Sequence, residues 1–87
     1  MSLRIEKKAE GPDMIIRLSG RIRSGGLLEL KKHLEGDTER IVIDMKEVNL
    51  VDLEVVRFLG LCESEGMELR NCSPYIREWI LRERKQA

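Results

Sequence analysis

Apolar residues recur along this chain with two different spacings, which predict where strands and helices lie. Residues 14–18 are apolar, rich in isoleucine and flanked by turn-forming residues, so they predict a strand. Residues 4–7 predict a weaker strand that pairs with it as a hairpin. Residues 41–45 are almost continuously apolar, which is typical of a central strand covered on both faces, as helical crossovers require. Residues 67–71 predict a further strand.

Three segments show helical spacing instead. The first helix is predicted by leucines at i, i+3 and i+7, namely Leu27, Leu30 and Leu34, and Gly36 is placed to end it. The second begins after Asp52, which can cap it, and ends at residues 64–66. Its apolar positions recur at helical spacing at Val55, Val56, Leu59 and Cys62. Gly60, in the middle of this helix, indicates close packing.

The third helix is predicted to begin at Ser73 and Pro74, a hydroxyl cap followed by a proline in the first turn. We expect residues 82–87 to fray. Alternation of strands and helices after a hairpin predicts an α/β fold, with a mostly parallel sheet of about four strands and three helices. Because the chain has 87 residues, we expect a single domain over residues 1–87. In such sheets partners meet the loops after the strands, here residues 19–26 and 47–53.

Charge balance narrows the choice of partners. The 16 Lys and Arg residues balance the 16 Asp and Glu residues, so no overall field attracts nucleic acid or an anionic membrane, and weak self-association becomes possible. The basic clusters at residues 17–23 and 77–84 are interleaved with acids or lack aromatic neighbours, so they are interpreted as solvated faces. Two isolated cysteines and no apolar run of about 20 residues predict a cytoplasmic protein with no membrane insertion.

The sequence offers no recognisable catalytic or metal-binding cluster. His33 is the single histidine, and Cys62 lies on the apolar face of its helix, where it is interpreted as a small buried hydrophobe. The glycines at positions 20, 25 and 26 match neither phosphate-loop pattern. We therefore predict a protein that is not an enzyme and has no cofactor and no metal.

Two features allow more than one interpretation. Asp44 stands near the end of the predicted central strand, where it could be functional or could accept hydrogen bonds from the next loop; we favour the structural role. Tyr75 and Trp79 lie four residues apart on the third helix, where they could cover the sheet or form an apolar patch for a partner; we favour the core.

Three segments, taken in order, resemble the STAS domain, the sulfate transporter and anti-sigma factor antagonist family. Residues 16–22 resemble its strand and following turn, residues 41–52 its next strand, loop and aspartate, and residues 67–76 its last strand and Ser-Pro helix start. The resemblance covers nearly the whole chain from about Met14. It implies a STAS-like fold, and because family members typically continue past the third helix, a minimal or divergent member.

The resemblance also implies a regulatory loop. Anti-sigma factor antagonists carry an Asp-Ser-Ser/Thr-Gly loop whose second hydroxyl residue is phosphorylated by a kinase that is itself the anti-sigma factor. Here the loop is Asp52, Leu53, Glu54 and Val55, so Glu54 occupies the phosphoacceptor position and the usual switch cannot operate. Glu54 could be a permanent, imperfect phosphate mimic, or a first-turn acid that stabilises the helix dipole; we favour the second.

The implied function is non-catalytic regulation by binding an anti-sigma factor or a related signalling protein. Beside the loop, candidate contact residues are Arg21, Ile22, Arg23, Ser24, Val51 and Arg57. STAS-like domains also serve as cytosolic accessory subunits of ABC-type lipid transporters, and in that alternative Tyr75 and Trp79 would form the contact. A third hypothesis, a nucleotide or lipid bound at the strand ends, ranks last because no phosphate loop is present.

Overall fold

Four strands and three helices form the molecule in the predicted order. The computed structural model describes residues 3–34 and 40–86. The elements are β1 (Arg4–Glu10), β2 (Asp13–Ile22), a short 3₁₀ turn (Ser24–Gly26), α1 (Leu27–Leu34), β3 (Arg40–Val51), α2 (Leu53–Ser64), β4 (Glu68–Arg70) and α3 (Pro74–Gln86). The predicted end of α1 at Gly36 lies outside the described residues.

The sheet has the strand order β1-β2-β3-β4. β1 and β2 pair antiparallel, as the predicted hairpin requires, and the two-residue turn between them begins with Gly11 at φ 61, which suits glycine. β2 pairs with β3, and β3 with β4, in parallel. The predicted mostly parallel sheet of four strands and three helices is therefore confirmed.

All the helices contribute to one core on one face of the sheet. Each crossover leads to the next strand in the same direction, and right-handed crossovers in the same direction place their helices on the same side. One buried cluster accordingly joins all three helices to one face of the sheet. Its members from the helices are Leu30, Val55, Val56, Leu59, Cys62, Ile76 and Ile80.

Among the described residues, no helix covers the other face of the sheet, which corrects one expectation about β3. Residues 41–45 are buried on both faces, but only one of those faces packs against helices. On the open face Val42 is fully buried although its row partners include Glu68. One row across the four strands alternates in charge, through Glu6, Arg17, Asp44 and Arg70. Long charged side chains can cover apolar neighbours with their aliphatic stems, which explains how Val42 is shielded.

Two of the predicted loops are partly strand. β2 continues through Ile22 and β3 through Val51, so the loops that follow these two strands are shorter than expected. Register shifts on either side of residue 20 allow the longer pairing, and Gly20 adopts φ 88 there. α3 also extends to Gln86 instead of fraying, because Glu83 and Arg84 form ion pairs with α2.

Gly60 lies where α2 and α3 meet. A Cβ atom on Gly60 would stand 3.5 Å from Ile80 Cγ2 and 3.5 Å from Arg84 Cγ, which is ordinary van der Waals contact. The helices are therefore close, as predicted, but their spacing leaves room for a methyl group. Glycine inside a helix costs about 1 kcal/mol relative to alanine, so this position is not optimal for stability.

We expect Gly60→Ala to raise the free energy of unfolding by about 0.5–1 kcal/mol, measured by urea denaturation, because alanine loses less conformational entropy on folding. Gly66→Ala is the contrasting control. Gly66 has open space around it but a φ of 101, so alanine there would be strained and stability should fall. A loss of stability in Gly60→Ala would show that α2 and α3 cannot accept the methyl group.

Candidate functional site

Asp52 joins the two loops that the sequence singled out. Its Oδ1 atom accepts a hydrogen bond from the backbone N–H of Val55 at 3.1 Å, which caps α2 as predicted. Its Oδ2 atom accepts one from the backbone N–H of Ser24 at 2.8 Å, across 28 residues of sequence. One carboxylate therefore holds the turn after β2 against the beginning of α2.

The ionised form of Asp52 is favoured by this arrangement. Partial burial, the largest single influence, raises the pKa of Asp52, and the hydrogen bonds from the Ser24 amide, the Val55 amide and the Ser24 side chain lower it. The positive charge of Arg23 lowers it further, so the pKa lies below its usual value. At neutral pH the group is a carboxylate that accepts both hydrogen bonds.

Asp52→Ala is expected to lower the free energy of unfolding by about 1 kcal/mol, the usual effect of losing a helix cap. Amide hydrogen exchange at Ser24 and Val55 should become faster, because both N–H groups lose their acceptor. Asp52→Asn keeps an acceptor oxygen and should show a smaller change in both measurements. If exchange at Ser24 stayed as slow in Asp52→Ala as in the unaltered protein, the carboxylate would not be what holds the two loops together.

The first turn of α2 presents Leu53 and Glu54 to solvent, with exposed fractions of 37% for Leu53 and 61% for the Glu54 side chain. Glu54 Oε1 lies 3.7 Å from Arg57 Nη1, one turn further along the helix. Arg57 Nε also donates to Glu83 Oε1 of α3 at 3.2 Å. Glu54 therefore takes part in an exposed ion-pair chain that links α2 to α3.

The candidate contact residues divide into two groups. Arg21, Arg23 and Ser24 are exposed, as a contact surface requires. Ile22 and Val51 are instead 0% and 4% exposed and are partners in the β2–β3 register, so they cannot meet a partner protein directly. This corrects their expected role: they belong to the core and hold the two loops side by side. Their apolar side chains at the strand ends were the signal for burial.

The exposed candidate residues lie at the end of β2, in the turn after it and on the first turns of α2, the segments that Asp52 joins, and together they form a candidate contact surface. We call it the α2-entry surface and define it by the side chains of Arg21, Arg23, Ser24, Leu53, Glu54 and Arg57. It combines three guanidinium groups with one carboxylate and one leucine. The sequence identified its members, but not the Ser24 N–H as the second partner of Asp52. Almost every residue has a backbone N–H, so the residue type does not indicate which of them donates.

The thiols are not suited to nucleophilic chemistry. Burial raises the pKa of the Cys62 thiol to about 11, and burial also raises that of Cys72. Cys62 is buried in the core, which confirms its interpretation as a small hydrophobe. His33 Nδ1 lies 3.0 Å from the carbonyl oxygen of Glu29 in its own helix. Within residues 3–34 and 40–86, no three or more His, Cys, Asp or Glu side chains are grouped to hold a metal ion.

Asp44 has the structural role that was favoured for it. It is only 6% exposed, and its Oδ1 atom accepts hydrogen bonds from the Lys46 N–H and from Asn71 Nδ2, each at 3.0 Å. Burial raises the pKa of Asp44, but the bond from Asn71, the bond from Lys46 and the charges of Arg17 and Arg70 lower it to below its usual value. Asp44 thus ties the loop after β4 to the middle of β3.

The aromatic pair on α3 is more exposed than expected. The ring centroids of Tyr75 and Trp79 are 5.9 Å apart, and Trp79 packs against the core. Tyr75 is 58% exposed, so the prediction that it belongs to the core is wrong. It lies one turn before Trp79, beside the exposed residues Glu78 and Arg82.

Comparison with known proteins defines the class of fold. No protein-family model matches this sequence. No curated protein matches it either. Among solved structures, the chain is similar to the crystal structure of an anti-sigma-factor antagonist, a STAS domain from Rhodobacter sphaeroides, with a TM-score of 0.62 and 19% sequence identity. The match covers 84% of this chain and 94% of that one.

The chain therefore has a STAS-like fold, as the resemblance of its segments implied. At 19% identity the likeness concerns the fold, and the function has to be argued from the residues of the site. Among the described residues, no helix combines the length and apolar character needed to cross a membrane.

Proposed function

We propose that this chain is a non-catalytic regulatory domain that binds a signalling protein, an anti-sigma factor or a related regulator, through the α2-entry surface. The main observation behind this proposal is the pair of hydrogen bonds from the Ser24 and Val55 backbone N–H groups to Asp52. These bonds make one preorganised surface from two loops that are distant in sequence, and preorganisation lowers the entropic cost of binding. The STAS-like fold supports this proposal, since the similar solved structure is an anti-sigma-factor antagonist.

The charge pattern of the surface supports a protein partner. Arg21 and Arg23 are exposed and form no ion pair with any described residue, so they are available to carboxylates of a partner. Leu53 adds an apolar contact between charged neighbours. Arginine is enriched at protein interfaces.

Glu54 acts in this proposal as a helix-start acid and not as a phosphate mimic. Its side chain is exposed and lies near Arg57 of its own helix, so part of its charge is already balanced. Glutamate also carries one negative charge, against about −1.5 to −2 for a phosphorylated serine. We therefore propose that binding at this surface is constitutive with respect to phosphorylation at position 54.

Photo-crosslinking from defined positions tests the proposal. A photoreactive residue replaces Leu53 on the α2-entry surface, or Lys8 on the open face of the sheet as the control, and cross-linked proteins from lysate of the source cells are identified by mass spectrometry. We expect an ATP-binding anti-sigma factor or another signalling protein to be cross-linked from position 53 and not from position 8. Equal cross-linking from both positions would contradict the proposal.

The Glu54→Ser variant separates the two interpretations of Glu54. In our proposal the variant captures the same partner and no more strongly than the unaltered chain, because the substitution removes a helix-start acid and its exposed ion pair, each of which contributes little. Stronger capture by the variant would show that Glu54 mimics phosphate and weakens binding.

A second candidate function is that of an accessory subunit of an ABC-type lipid transporter. The observation that favours it is the exposure of Tyr75, whose ring stands beside that of Trp79 on α3. A photoreactive residue at position 75 distinguishes the candidates, because a permease or ATPase subunit cross-linked there, with no signalling protein at position 53, would favour the transporter.

A further inference from the structure

A leucine at the middle of α2 stands beside a groove that can receive it. Leu61 is 55% exposed, although it neighbours the apolar face of the helix. Next to it, α2 and α3 border an open groove of about 620 Å³. Gly60 and Ile80 contribute to the floor of this groove, and Gly60 adds no side chain there. An exposed leucine side chain and a groove therefore lie side by side on one surface.

Charges on either side of Leu61 have opposite signs. Arg57 precedes Leu61 by four residues, and Glu65, the C-cap residue just after α2, follows Leu61 by four, so the three lie about one turn apart along one side of the helix. The Arg57 side chain is 57% exposed, although it already pairs with Glu54 and Glu83 of its own chain. Glu65 is exposed and forms no ion pair with the described part of the chain. We call these three residues, with Ser64, the Leu61 ridge.

A two-fold axis through Leu61 makes this ridge complementary to itself. When two α2 helices pack antiparallel about Leu61, Arg57 of one copy faces Glu65 of the other, and the same pair occurs a second time. Each Leu61 side chain then meets the groove beside Gly60 of the opposite copy. The ridge thus offers apolar contact at its centre and two opposite-charge pairs around it.

We propose that the Leu61 ridge is the contact surface of a homodimer of this chain. A second copy is the occupant because the complementary charges lie at positions related by the symmetry, and because the balanced net charge of the chain produces no overall repulsion between copies. A single helical ridge is a small interface, so the dimer is weak and depends on protein concentration. This proposal does not rest on the regulatory function, although one residue of the Leu61 ridge, Arg57, also belongs to the α2-entry surface.

Sedimentation equilibrium of the full chain tests the dimer, over about 10 µM to about 1 mM, the range in which a small interface associates. We expect Leu61→Asp to weaken self-association by at least about tenfold, the effect of disrupting an interface hot spot. Leu28→Asp is the matched control, because Leu28 is an exposed leucine on α1 and should leave the association unchanged. A chain that stays monomeric over this range, or a dimer equally affected by both variants, overturns the proposal.

Charge exchange tests the symmetry itself. Arg57→Glu alone and Glu65→Arg alone each place like charges opposite one another and should weaken association, whereas the double variant restores the pairs and should recover it. Circular dichroism and urea denaturation confirm that each variant is folded, which matters because Arg57 also contacts Glu83 within the chain. Failure of the double variant to recover association, with all variants folded, rules out the proposed two-fold pairing. Cross-linking from position 53 in the unaltered background tests the α2-entry surface separately.

Discussion

Ile80→Ala is expected to lower the free energy of unfolding by about 2–5 kcal/mol, as large-to-small substitutions in a close-packed core do. Ile80 is fully buried, and its Cγ2 atom lies against Gly60 of α2. Removing three carbon atoms at this contact leaves a cavity between two helices that are held by ion pairs at both ends and therefore cannot close it easily. The free energy of unfolding of a single domain is about 5–15 kcal/mol, so this loss would be a large share of its stability.

The neighbouring residue supplies the control. Leu81 is 47% exposed, so Leu81→Ala should change the free energy of unfolding by less than about 0.5 kcal/mol. Urea denaturation of both variants and of the unaltered chain measures the difference in the free energy of unfolding. The slopes of the transitions are compared between the three proteins. Similar losses in the two variants would mean that α3 does not pack against α2 through Ile80.

Asp44→Ala is expected to lower the free energy of unfolding by about 2 kcal/mol, because a buried charged acceptor is lost and its donors remain. The Lys46 N–H and Asn71 Nδ2 would both lose their partner. Asn71 also holds a φ of 58, an uncommon conformation outside glycine, and the bond to Asp44 helps to keep it there. Asp44→Asn retains one acceptor oxygen and should lose less stability. Equal stability of the alanine variant and the unaltered chain would show that these hydrogen bonds contribute nothing net.

The pKa of Asp44 also gives a pH dependence with a definite sign. A carboxyl group whose pKa is lower in the folded than in the unfolded chain stabilises the fold above the unfolded value, near 3.9 for aspartate. This contribution is lost progressively as the pH falls from about 5 through that value towards the lowered folded pKa. Urea denaturation at pH 7 and at about pH 3 should therefore show a smaller loss of stability on acidification for Asp44→Asn than for the unaltered chain. Asp52 and Glu63, whose pKa values are also lowered, keep part of the acid sensitivity in both proteins.

Local chemistry explains which elements could be predicted. The cap at Asp52 and the Ser-Pro start of α3 depend on side chains and backbone groups within three residues, and both are present in the structure. The apolar spacing of α2 predicted its buried face correctly at Val55, Val56 and Leu59. Leu61 showed the limit of that spacing, because its neighbours on the same helix face, Arg57 and Ser64, are polar and favour solvent.

Strand ends and covered faces were harder to predict because they depend on partners distant in sequence. β2 and β3 extend into the predicted loops since each supplies the hydrogen bonds of the other there, up to the pair Ile22 and Val51. Burial of Val42 without a helix above it likewise depends on charged residues that neighbouring strands bring alongside. No window of the sequence contains those neighbours.

The sequence by itself determined the order of strands and helices, the cap of α2, the core face of α2 and the absence of a hydroxyl at position 54, because each follows from residue types a few positions apart. Only the tertiary structure decided that Asp52 holds Ser24, that all the helices cover one face of the sheet, that Ile22 and Val51 are buried and that Tyr75 is exposed. These features arise where parallel strands and their crossovers bring distant segments together, and the energy of such contacts is shared between residues that the sequence separates.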